Sequence, residues 1–283
     1  MASKKKTKVK VDITRKDVLV LTGVAAGSAV AAVALTAGPF SPFAGLQGKM
    51  VEGENVGGHG GATGQYHWGM AINLDLCIGC EYCKRACSAS NNVADEPSKP
   101  WNIVVPEETT AGHQFFFSRP CLHCQNAPCV EVCPVKATYV RDDGLVVMDY
   151  DRCIGCRYCE VACPYDARKF NWVQRHDPED NSQYIPTWGV PEIDIRPRGV
   201  VEKCTFCKQR IDDGLKVGLM PGVDPEATPT CVNICPVNAR TFGNLKDPDS
   251  PVSQVIKNNP TFVLREEIGT APSVYYIPPK EGL

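Results

Sequence analysis

The residues of this chain best suited to chemistry are its sixteen cysteines, which fall into four short motifs. Thiolates bind soft metal ions, so the spacing of these cysteines matters more than their number. Numbered in chain order, the motifs are Cys77-x2-Cys80-x2-Cys83-x3-Cys87, Cys121-x2-Cys124-x4-Cys129-x3-Cys133, Cys153-x2-Cys156-x2-Cys159-x3-Cys163 and Cys204-x2-Cys207-x23-Cys231-x3-Cys235. A proline directly follows the last cysteine of motifs 2, 3 and 4.

Motifs 1 and 3 have the spacing of bacterial ferredoxins, in which three close thiolates hold one iron–sulfur cube and the fourth reaches a different cube. Motif 2 is the same arrangement with two extra residues, and motif 4 contains a long insertion. The close spacing makes the backbone curl around one face of a cube, and Gly79 and Gly155 permit a close approach. Sixteen thiolates, at four for each cluster, predict four 4Fe-4S clusters.

Zinc ligation and disulfide formation are the weaker alternatives for these cysteines. Structural zinc sites usually have separated cysteine pairs, whereas motifs 1 and 3 have three cysteines at three-residue steps. Disulfides would suit an exported chain, but bridges confined to four short motifs would be strained. We therefore favour iron–sulfur ligation over a zinc module or a disulfide framework.

The first 40 residues have the features of an export signal or a membrane anchor. A lysine-rich start precedes Thr14-Arg15-Lys16-Asp17-Val18-Leu19, which resembles a twin-arginine signal with Lys16 in place of the second arginine. Residues 18–38 carry no charge and are long enough to span a bilayer, so cleavage and retention as an anchor both remain open. Because the basic flank stays inside, we expect the chain to be exported folded, to the extracytoplasmic (periplasmic) face of the cytoplasmic membrane.

The charge balance argues against nucleic acid as a partner. The first 37 residues contain seven of the 30 basic residues and two of the 32 acidic ones, which leaves 23 basic and 30 acidic residues in the remainder. Binding of nucleic acid requires a basic face that neutralises phosphates. We therefore expect no nucleic-acid partner.

From about residue 70 to 280, the order and spacing of the motifs resemble the four-cluster iron–sulfur subunit of the molybdopterin (dimethyl sulfoxide reductase-type) oxidoreductases. That family includes polysulfide, tetrathionate and nitrite-linked reductase subunits and formate dehydrogenase beta chains. The resemblance implies crossed ligation, in which each fourth cysteine joins the first three of another motif. The implied sets are Cys77, Cys80, Cys83 and Cys235 (cluster 1), Cys204, Cys207, Cys231 and Cys87 (cluster 2), Cys121, Cys124, Cys129 and Cys163 (cluster 3), and Cys153, Cys156, Cys159 and Cys133 (cluster 4).

Internal similarity between motifs 1 and 3, and between the Cys-Pro segments of motifs 2 and 4, indicates duplicated two-cluster modules. We expect a loop-rich α+β fold in which a strand, a turn and a strand over 138–149 precede motif 3. Strands at 68–74 and 114–118 should likewise precede motifs 1 and 2. The expected organisation is a signal or anchor helix over 1–40, a Gly-rich linker over 41–69, one ferredoxin-like module over 70–112 plus 176–243, another over 113–175, and a partner-wrapping tail over 244–283.

No group of residues predicts catalysis, so the chain is interpreted as a non-catalytic electron-transfer subunit. The linker histidines His59 and His67, and the lone His113, His123 and His176, are expected to be solvated or structural. The resemblance implies two partners, a molybdopterin-type catalytic subunit and an integral membrane quinone-reactive subunit of a respiratory complex. A free-standing exported polyferredoxin is the alternative.

Basic residues near the cysteines are candidates for tuning the cluster potentials, because a nearby cation favours the more negative reduced form. A solvated basic rim is the equally weighted alternative. The candidates are Lys84, Arg85, Arg152, Arg157, Lys203, Lys208 and Arg210. Three tryptophans lie in or beside two long insertions, over 88–110 and 173–200, and are expected to anchor a partner or to pack in the core, namely Trp101, Trp172 and Trp188.

Overall fold

A computed structural model describes residues 62–93, 100–110, 112–173, 190 and 192–280. The predicted signal or anchor segment over 1–40, most of the predicted linker, and the positions of His59, His176 and Trp188 lie outside these residues. Among the helices that the structure describes, none has both the length and the apolar character needed to cross a membrane.

A three-stranded sheet joins the two ends of the described chain. Its middle strand β1 (Trp68–Asn73) pairs antiparallel with β8 (Arg240–Asn244) and parallel with β9 (Val274–Ile277). Every residue of β1 except Asn73 is buried, because the sheet is covered on both faces. The sheet therefore fixes the segment before motif 1 against the segment after motif 4.

Three two-stranded antiparallel sheets make up the rest of the described strands. They are β2 (Ile103–Glu108) with β3 (Gln114–Arg119), β4 (Thr138–Val140) with β5 (Val146–Met148), and β6 (Arg168–Phe170) with β7 (Val201–Lys203). The β4–β5 turn closes through a hydrogen bond from the Gly144 amide to the Arg141 carbonyl, with Gly144 at a positive φ of 82°. The strands predicted at 68–74, 114–118 and 138–149 are thus confirmed.

Besides a 3-10 helix at Glu266–Ile268, six short α-helices complete the described fold, and most of them carry motif cysteines. They are α1 (Tyr82–Ser90), α2 (Pro128–Glu131), α3 (Tyr158–Val161), α4 (Lys208–Lys216), α5 (Thr230–Asn233) and α6 (Pro251–Asn258). Helix α1 packs against α5, and α2 packs against α3. Each packed pair brings together cysteines from two motifs. The mixture of short helices and strands with long loops agrees with the predicted loop-rich α+β class.

A single hydrophobic core runs through the part of the chain that the structure describes. It contains large side chains from the sheet, such as Trp68, Phe242 and Tyr276, together with Phe206 from motif 4 and many of the cysteines. Trp68 stacks on Phe242, and Phe206 meets Phe242 edge to face. Many of the cysteines are therefore part of the core, so clusters bound to them would contribute to the stability of the fold.

Much of the tail over 244–283, for which the sequence predicts a partner-wrapping role, packs within this chain. Helix α6 begins at the N-cap Ser250, whose hydroxyl accepts a hydrogen bond from the Ser253 amide. Val252, Val274 and Tyr276 are fully buried. The tail thus supplies strand β9 and part of the core, whatever its remaining surface contacts.

Buried and half-buried ion pairs join distant segments. Arg196 and Glu202 form a nearly fully buried pair with Nε 2.6 Å from Oε2, and Arg196 also donates to the Asn91 and Asn92 carbonyls. Arg141 in the β4–β5 turn forms a two-pronged contact with Asp212 in α4. The contacts of Arg196 hold the segment before α4 against the end of α1. The contacts of Arg141 hold the β4–β5 hairpin against α4.

Candidate iron–sulfur cluster sites

The structure brings the sixteen cysteines together in sets that combine different motifs. We name the sets pockets 1 to 4. Pocket 3 is a cavity lined by Cys121, Cys124, Cys129 and Cys163. Pocket 4 is a cavity lined by Cys133, Cys153, Cys156 and Cys159. In both pockets three cysteines come from one motif and the fourth from the other, because α2 and α3 pack side by side.

Motifs 1 and 4 approach one another in the same way. Burial raises the pKa of the Cys87 thiol well above its ordinary value, and the neighbouring Cys204, Cys207 and Cys231 raise it further. These four cysteines form pocket 2. The pKa of Cys77 is raised by burial and also by the charges of Cys83 and Cys235, so these three thiols lie close together. We name them pocket 1, together with Cys80, which lies between Cys77 and Cys83 in motif 1.

The loop between the first two cysteines of each motif has a left-handed residue at the same place. This residue is Gly79 in motif 1, His123 in motif 2, Gly155 in motif 3 and Phe206 in motif 4, with φ between 44° and 70°. The left-handed conformation turns the backbone so that its amides face the pocket. The Phe206 amide, for example, lies 3.5 Å from the Cys204 sulfur.

The segments after the Cys-Pro pairs also direct amides at sulfur. Lys136 and Asn238 occupy the left-handed region three residues after Cys133 and Cys235. The next amides, those of Ala137 and Ala239, then donate to the Cys133 and Cys235 sulfurs at 3.2 and 3.3 Å. Amide donors to sulfur favour the ionised thiolate and stabilise a bound anionic cluster.

The thiols fit an iron–sulfur cluster because fourteen of the sixteen are buried or half-buried, all are free, and neighbouring thiolates repel one another. All sixteen lie in the described residues and none forms a disulfide. Burial, Coulomb repulsion from Cys207 and the opposing charge of Arg240 together leave the pKa of Cys231 raised to about 12. Iron supplies the positive charge that lets such thiolates ionise. Within the described residues, no three His, Cys, Asp or Glu side chains converge closely enough for a single metal ion.

Three buried cations lie beside the pockets. Arg168 donates to the Cys129 sulfur at 3.0 Å, Arg240 donates to the Cys231 sulfur at 3.4 Å, and Lys203 precedes Cys204. Burial opposes the charge of both arginines, but nearby cysteines outweigh it and raise their pKa. Sequence reasoning named Lys203 and missed the two arginines, although each follows a Cys-Pro-x-x-Ala segment that repeats in motifs 3 and 4.

The other predicted tuning residues lie toward solvent. Lys84 pairs with Glu81, and Arg152 pairs with Asp149. Arg157 is exposed and lies over the rings of Phe170 and Trp172. Arg85 is exposed, Lys208 is half-buried, and half-buried Arg210 donates to the Thr228 and Pro225 carbonyls.

The predicted histidines and tryptophans have varied surroundings. His123 is fully buried, its Nδ1 accepts from the Val146 amide, and its ring stacks on Phe206. Burial and the charge of Lys203 lower the pKa of His123 well below its ordinary value. His113 is exposed, whereas half-buried His67 is hydrogen-bonded to Ser273. Trp101 packs under Arg196 in the core, whereas Trp172 is exposed.

Pockets 1 and 4 each present one cysteine to solvent. Cys80 of pocket 1 and Cys156 of pocket 4 are exposed, whereas all four cysteines of pocket 2 are buried. Each exposed cysteine has exposed apolar neighbours at equivalent positions, namely Ile78 and Tyr82 in motif 1 and Ile154 and Tyr158 in motif 3. His123 of motif 2 stacks on Phe206 of motif 4, so pockets 2 and 3 are neighbours and pockets 1 and 4 are the ends of a row. The row of pockets therefore has ends that are exposed to solvent and a buried middle.

Four pockets of four thiols, crossed between motifs and lined with amide donors, define a ferredoxin-type electron-transfer protein. Two models of the 4Fe-4S dicluster domain match the chain, one over residues 113–177 and the other over 76–138 and 152–240. Together with the sixteen cysteines, they show that the chain holds four 4Fe-4S clusters.

Three relatives, which are subunits of different reductases, show the family. A Halobacterium salinarum protein assigned as an iron–sulfur subunit of dimethyl sulfoxide reductase is 45% identical over 75% of this chain and 79% of its own length. The iron–sulfur cluster-binding subunit of menaquinone reductase from Nitratidesulfovibrio vulgaris is 40% identical over 76% of this chain and 89% of that protein. A polysulfide reductase chain of Wolinella succinogenes is 35% identical over 76% of this chain and 96% of that protein.

The chain belongs to the four-cluster iron–sulfur subunits of the dimethyl sulfoxide reductase-type oxidoreductases. Its function is therefore electron transfer within a respiratory oxidoreductase complex.

Proposed function

We propose that this chain relays electrons between a molybdopterin-type catalytic subunit and an integral membrane quinone-reactive subunit. The observation that carries the proposal is the contrast between the ends and the middle of the row of pockets. Cys80 and Cys156 are exposed and have exposed isoleucine and tyrosine neighbours, whereas pocket 2 is closed. Exposed apolar side chains around a redox site are suited to burial against a partner.

The proposed ligand sets are the crossed ones that the family resemblance implies. They are Cys77, Cys80, Cys83 and Cys235 for cluster 1, Cys204, Cys207, Cys231 and Cys87 for cluster 2, Cys121, Cys124, Cys129 and Cys163 for cluster 3, and Cys153, Cys156, Cys159 and Cys133 for cluster 4. The lining of pockets 3 and 4 and the mutual effects of the thiols in pockets 1 and 2 support these sets.

In the mechanism, the protein holds, shields and orients the redox groups. A bound 4Fe-4S cluster supplies one-electron chemistry, in which it accepts and then returns a single electron. The chain contributes thiolate ligands, amide donors such as Ala137 and Ala239, and a core that excludes water from pocket 2. A rigid, dry environment reduces the reorganisation that accompanies each change in charge.

Export to the extracytoplasmic (periplasmic) face of the cytoplasmic membrane is part of the proposal. It is supported by the lysine-rich start, by the twin-arginine-like segment at 14–19 and by the uncharged residues 18–38, which would anchor the chain if retained. A fusion of residues 1–45 to a reporter that is active only after folding in the cytoplasm should be exported. Substitution of Arg15 and Lys16 by Gln should abolish this export, and continued export would contradict a twin-arginine route.

Metal analysis and purification test the relay. Anaerobically purified protein should be brown and contain about sixteen irons and sixteen acid-labile sulfides per chain. Purified from its native membrane, it should carry a large molybdopterin subunit and a membrane subunit. A monodisperse protein without either subunit would instead support the free-standing polyferredoxin. Colourless protein with zinc would contradict both.

A further inference from the structure

The three buried cations alternate with the four pockets. Arg240 donates to Cys231 of pocket 2 and interacts electrostatically with Cys83 of pocket 1. Arg168 donates to Cys129 of pocket 3 and interacts with Cys159 of pocket 4. Each arginine thus lies between the two pockets of one packed helix pair.

Lys203 occupies the remaining gap, between pockets 2 and 3. Burial lowers the pKa of its ammonium group, and the charges of Cys121 and Cys129 of pocket 3 and of Cys204 of pocket 2 act in the opposite direction. Its ammonium group donates to the carbonyls of Val146 and Cys204, the latter at 2.7 Å. The order along the row is therefore pocket 1, Arg240, pocket 2, Lys203, pocket 3, Arg168 and pocket 4.

The two arginines are held by matching sets of neutral groups. Arg168 contacts the Met148 sulfur at 2.9 Å and the Thr138 hydroxyl at 2.8 Å. Arg240 contacts the Met70 sulfur at 3.6 Å and the Ser118 hydroxyl. Both follow the sequence Cys-Pro-x-x-Ala, so the same local turn directs both guanidinium groups inward.

The described part of the chain offers these cations no carboxylate. Arg168, Lys203 and Arg240 are 1%, 0% and 5% exposed, and none of them forms an ion pair with a described Asp or Glu. A buried cation without an anion is strongly unfavourable. The anionic thiolate-ligated clusters on either side are the partners that can compensate for such charges.

We propose that Arg240, Lys203 and Arg168 set the reduction potentials of the four clusters by stabilising the reduced form of the two clusters that each cation separates. Reduction adds one negative charge to a cluster, and a fixed cation close to it in a medium of low polarity lowers the energy of that added charge. One cation shared by two clusters raises both reduction potentials together. The free-energy change of electron transfer between the two clusters therefore stays small. The inference rests on the ligand sets given under Proposed function.

The test is an EPR-monitored redox titration of the purified four-cluster protein with dithionite and mediators. In Arg168→Gln, we expect the ratio of reduced to oxidised form to fall about tenfold at a fixed potential for two clusters, or about 59 mV for a one-electron couple. The other two clusters should not change. In Arg240→Gln, the potentials of these other two clusters should shift instead, and the two clusters that shift in Arg168→Gln should not change. Arg168→Lys, which keeps the charge, should stay close to wild type.

Arg152→Gln is the matched control, because Arg152 directly precedes the motif cysteine Cys153 but is exposed and paired with Asp149. Its potentials should match those of wild type. Equal shifts in Arg168→Lys and Arg168→Gln, a uniform shift of all four clusters, or an equal shift in Arg152→Gln would overturn the proposal.

Loss of clusters also has a defined meaning in this test. Arg168→Met is a second neutral variant whose side chain needs no hydrogen-bond partner. Loss of two clusters in both neutral variants, with retention in Arg168→Lys, supports charge compensation, whereas loss in all three variants overturns it. Iron analysis of wild-type protein tests the ligand sets independently, so the two proposals fail on different measurements.

Discussion

The rings of His123 and Phe206 stack with their centroids 3.9 Å apart and their planes 25° from parallel. The two residues hold the same position, between the first two cysteines of motifs 2 and 4, and both have a positive φ. Motifs 1 and 3 have glycine there instead. Bulky residues therefore occur at this position where pockets 2 and 3 meet in the core, and glycines occur where the outer pockets approach solvent.

Removal of one ring of this stack should destabilise the core. Phe206 is 1% exposed and also contacts Phe242, so Phe206→Ala should lower the free energy of unfolding by about 3–5 kcal/mol. The measurement is anaerobic denaturant unfolding followed by far-UV circular dichroism. Tyr82→Ala, at an exposed tyrosine, should change stability by less than about 0.5 kcal/mol. Similar losses in both variants would argue against a stabilising stack.

Gly155 should not tolerate a side chain. An added Cβ would lie 2.1 Å from the carbonyl oxygen of Gly199, and φ is +69°. A backbone atom cannot rotate away, so we expect Gly155→Ala to open pocket 4 and to lower the iron content by about four atoms per chain. The matched control is Gly218→Ala, which has φ of +81° with nothing near the added atom. It should keep its iron and lose about 1–2 kcal/mol, and full iron in Gly155→Ala would contradict the expected clash.

The buried pair Arg196–Glu202 should be costly to break from one side. Arg196→Met removes the buried ion-pair partner of Glu202 and the donors to the Asn91 and Asn92 carbonyls, so we expect a loss of about 3–5 kcal/mol in the free energy of unfolding. The exposed pair Lys216–Asp213 is the control, and Lys216→Met should have no measurable effect. The double variant Arg196→Met, Glu202→Leu should recover part of the loss. A double variant as unstable as the sum of both single variants would exclude direct coupling.

Stability near β1 should fall in mild acid because of His67. Burial and the charge of Lys246 lower the pKa of His67, so the folded chain binds its proton more weakly than the unfolded chain. The stabilising contribution is complete above about pH 6.5 and is lost as the pH falls toward the folded-state pKa. Amide hydrogen exchange of residues 68–73, corrected for intrinsic rates, should show less protection at pH 5.5 than at pH 7.5.

Substitution tests this assignment. His67→Gln should reduce the pH dependence of exchange, and His113→Gln, at an exposed histidine, should keep it. An unchanged pH dependence in His67→Gln would show that another group is responsible.

The cysteine spacing predicts much of the candidate site, because ligand types and local loops are recorded in adjacent residues. The strands before motifs 1, 2 and 3 could likewise be predicted from the sequence, since each is a short apolar run that ends near a cysteine. Spacing alone does not predict which motifs contribute cysteines to the same pocket. This combination of motifs was implied by the family resemblance, because which fourth cysteine approaches which loop depends on how α1 packs on α5 and α2 on α3.

The burial of the cations beside the pockets is harder to predict from the sequence. Local sequence does not distinguish Arg168 and Arg240 from solvated arginines, because their burial depends on contacts to Met148 and Thr138 or to Met70 and Ser118 far along the chain. The parallel pairing of β1 with β9 was also unpredictable, since the two strands are separated by all four motifs. Only the repeated Cys-Pro-x-x-Ala-Arg pattern would have singled out both arginines.

The pockets are nested along the chain, because every cysteine of pockets 3 and 4 lies between the two halves of pockets 1 and 2. A ribosome, which adds residues from the N-terminus, therefore delivers all the thiols of pockets 3 and 4 before the second half of pockets 1 and 2 exists. Cys87 must wait for Cys204, Cys207 and Cys231, and the other thiols of motif 1 must wait for Cys235. Synthesis of this chain thus completes the thiol sets of pockets 3 and 4 first and those of pockets 1 and 2 last.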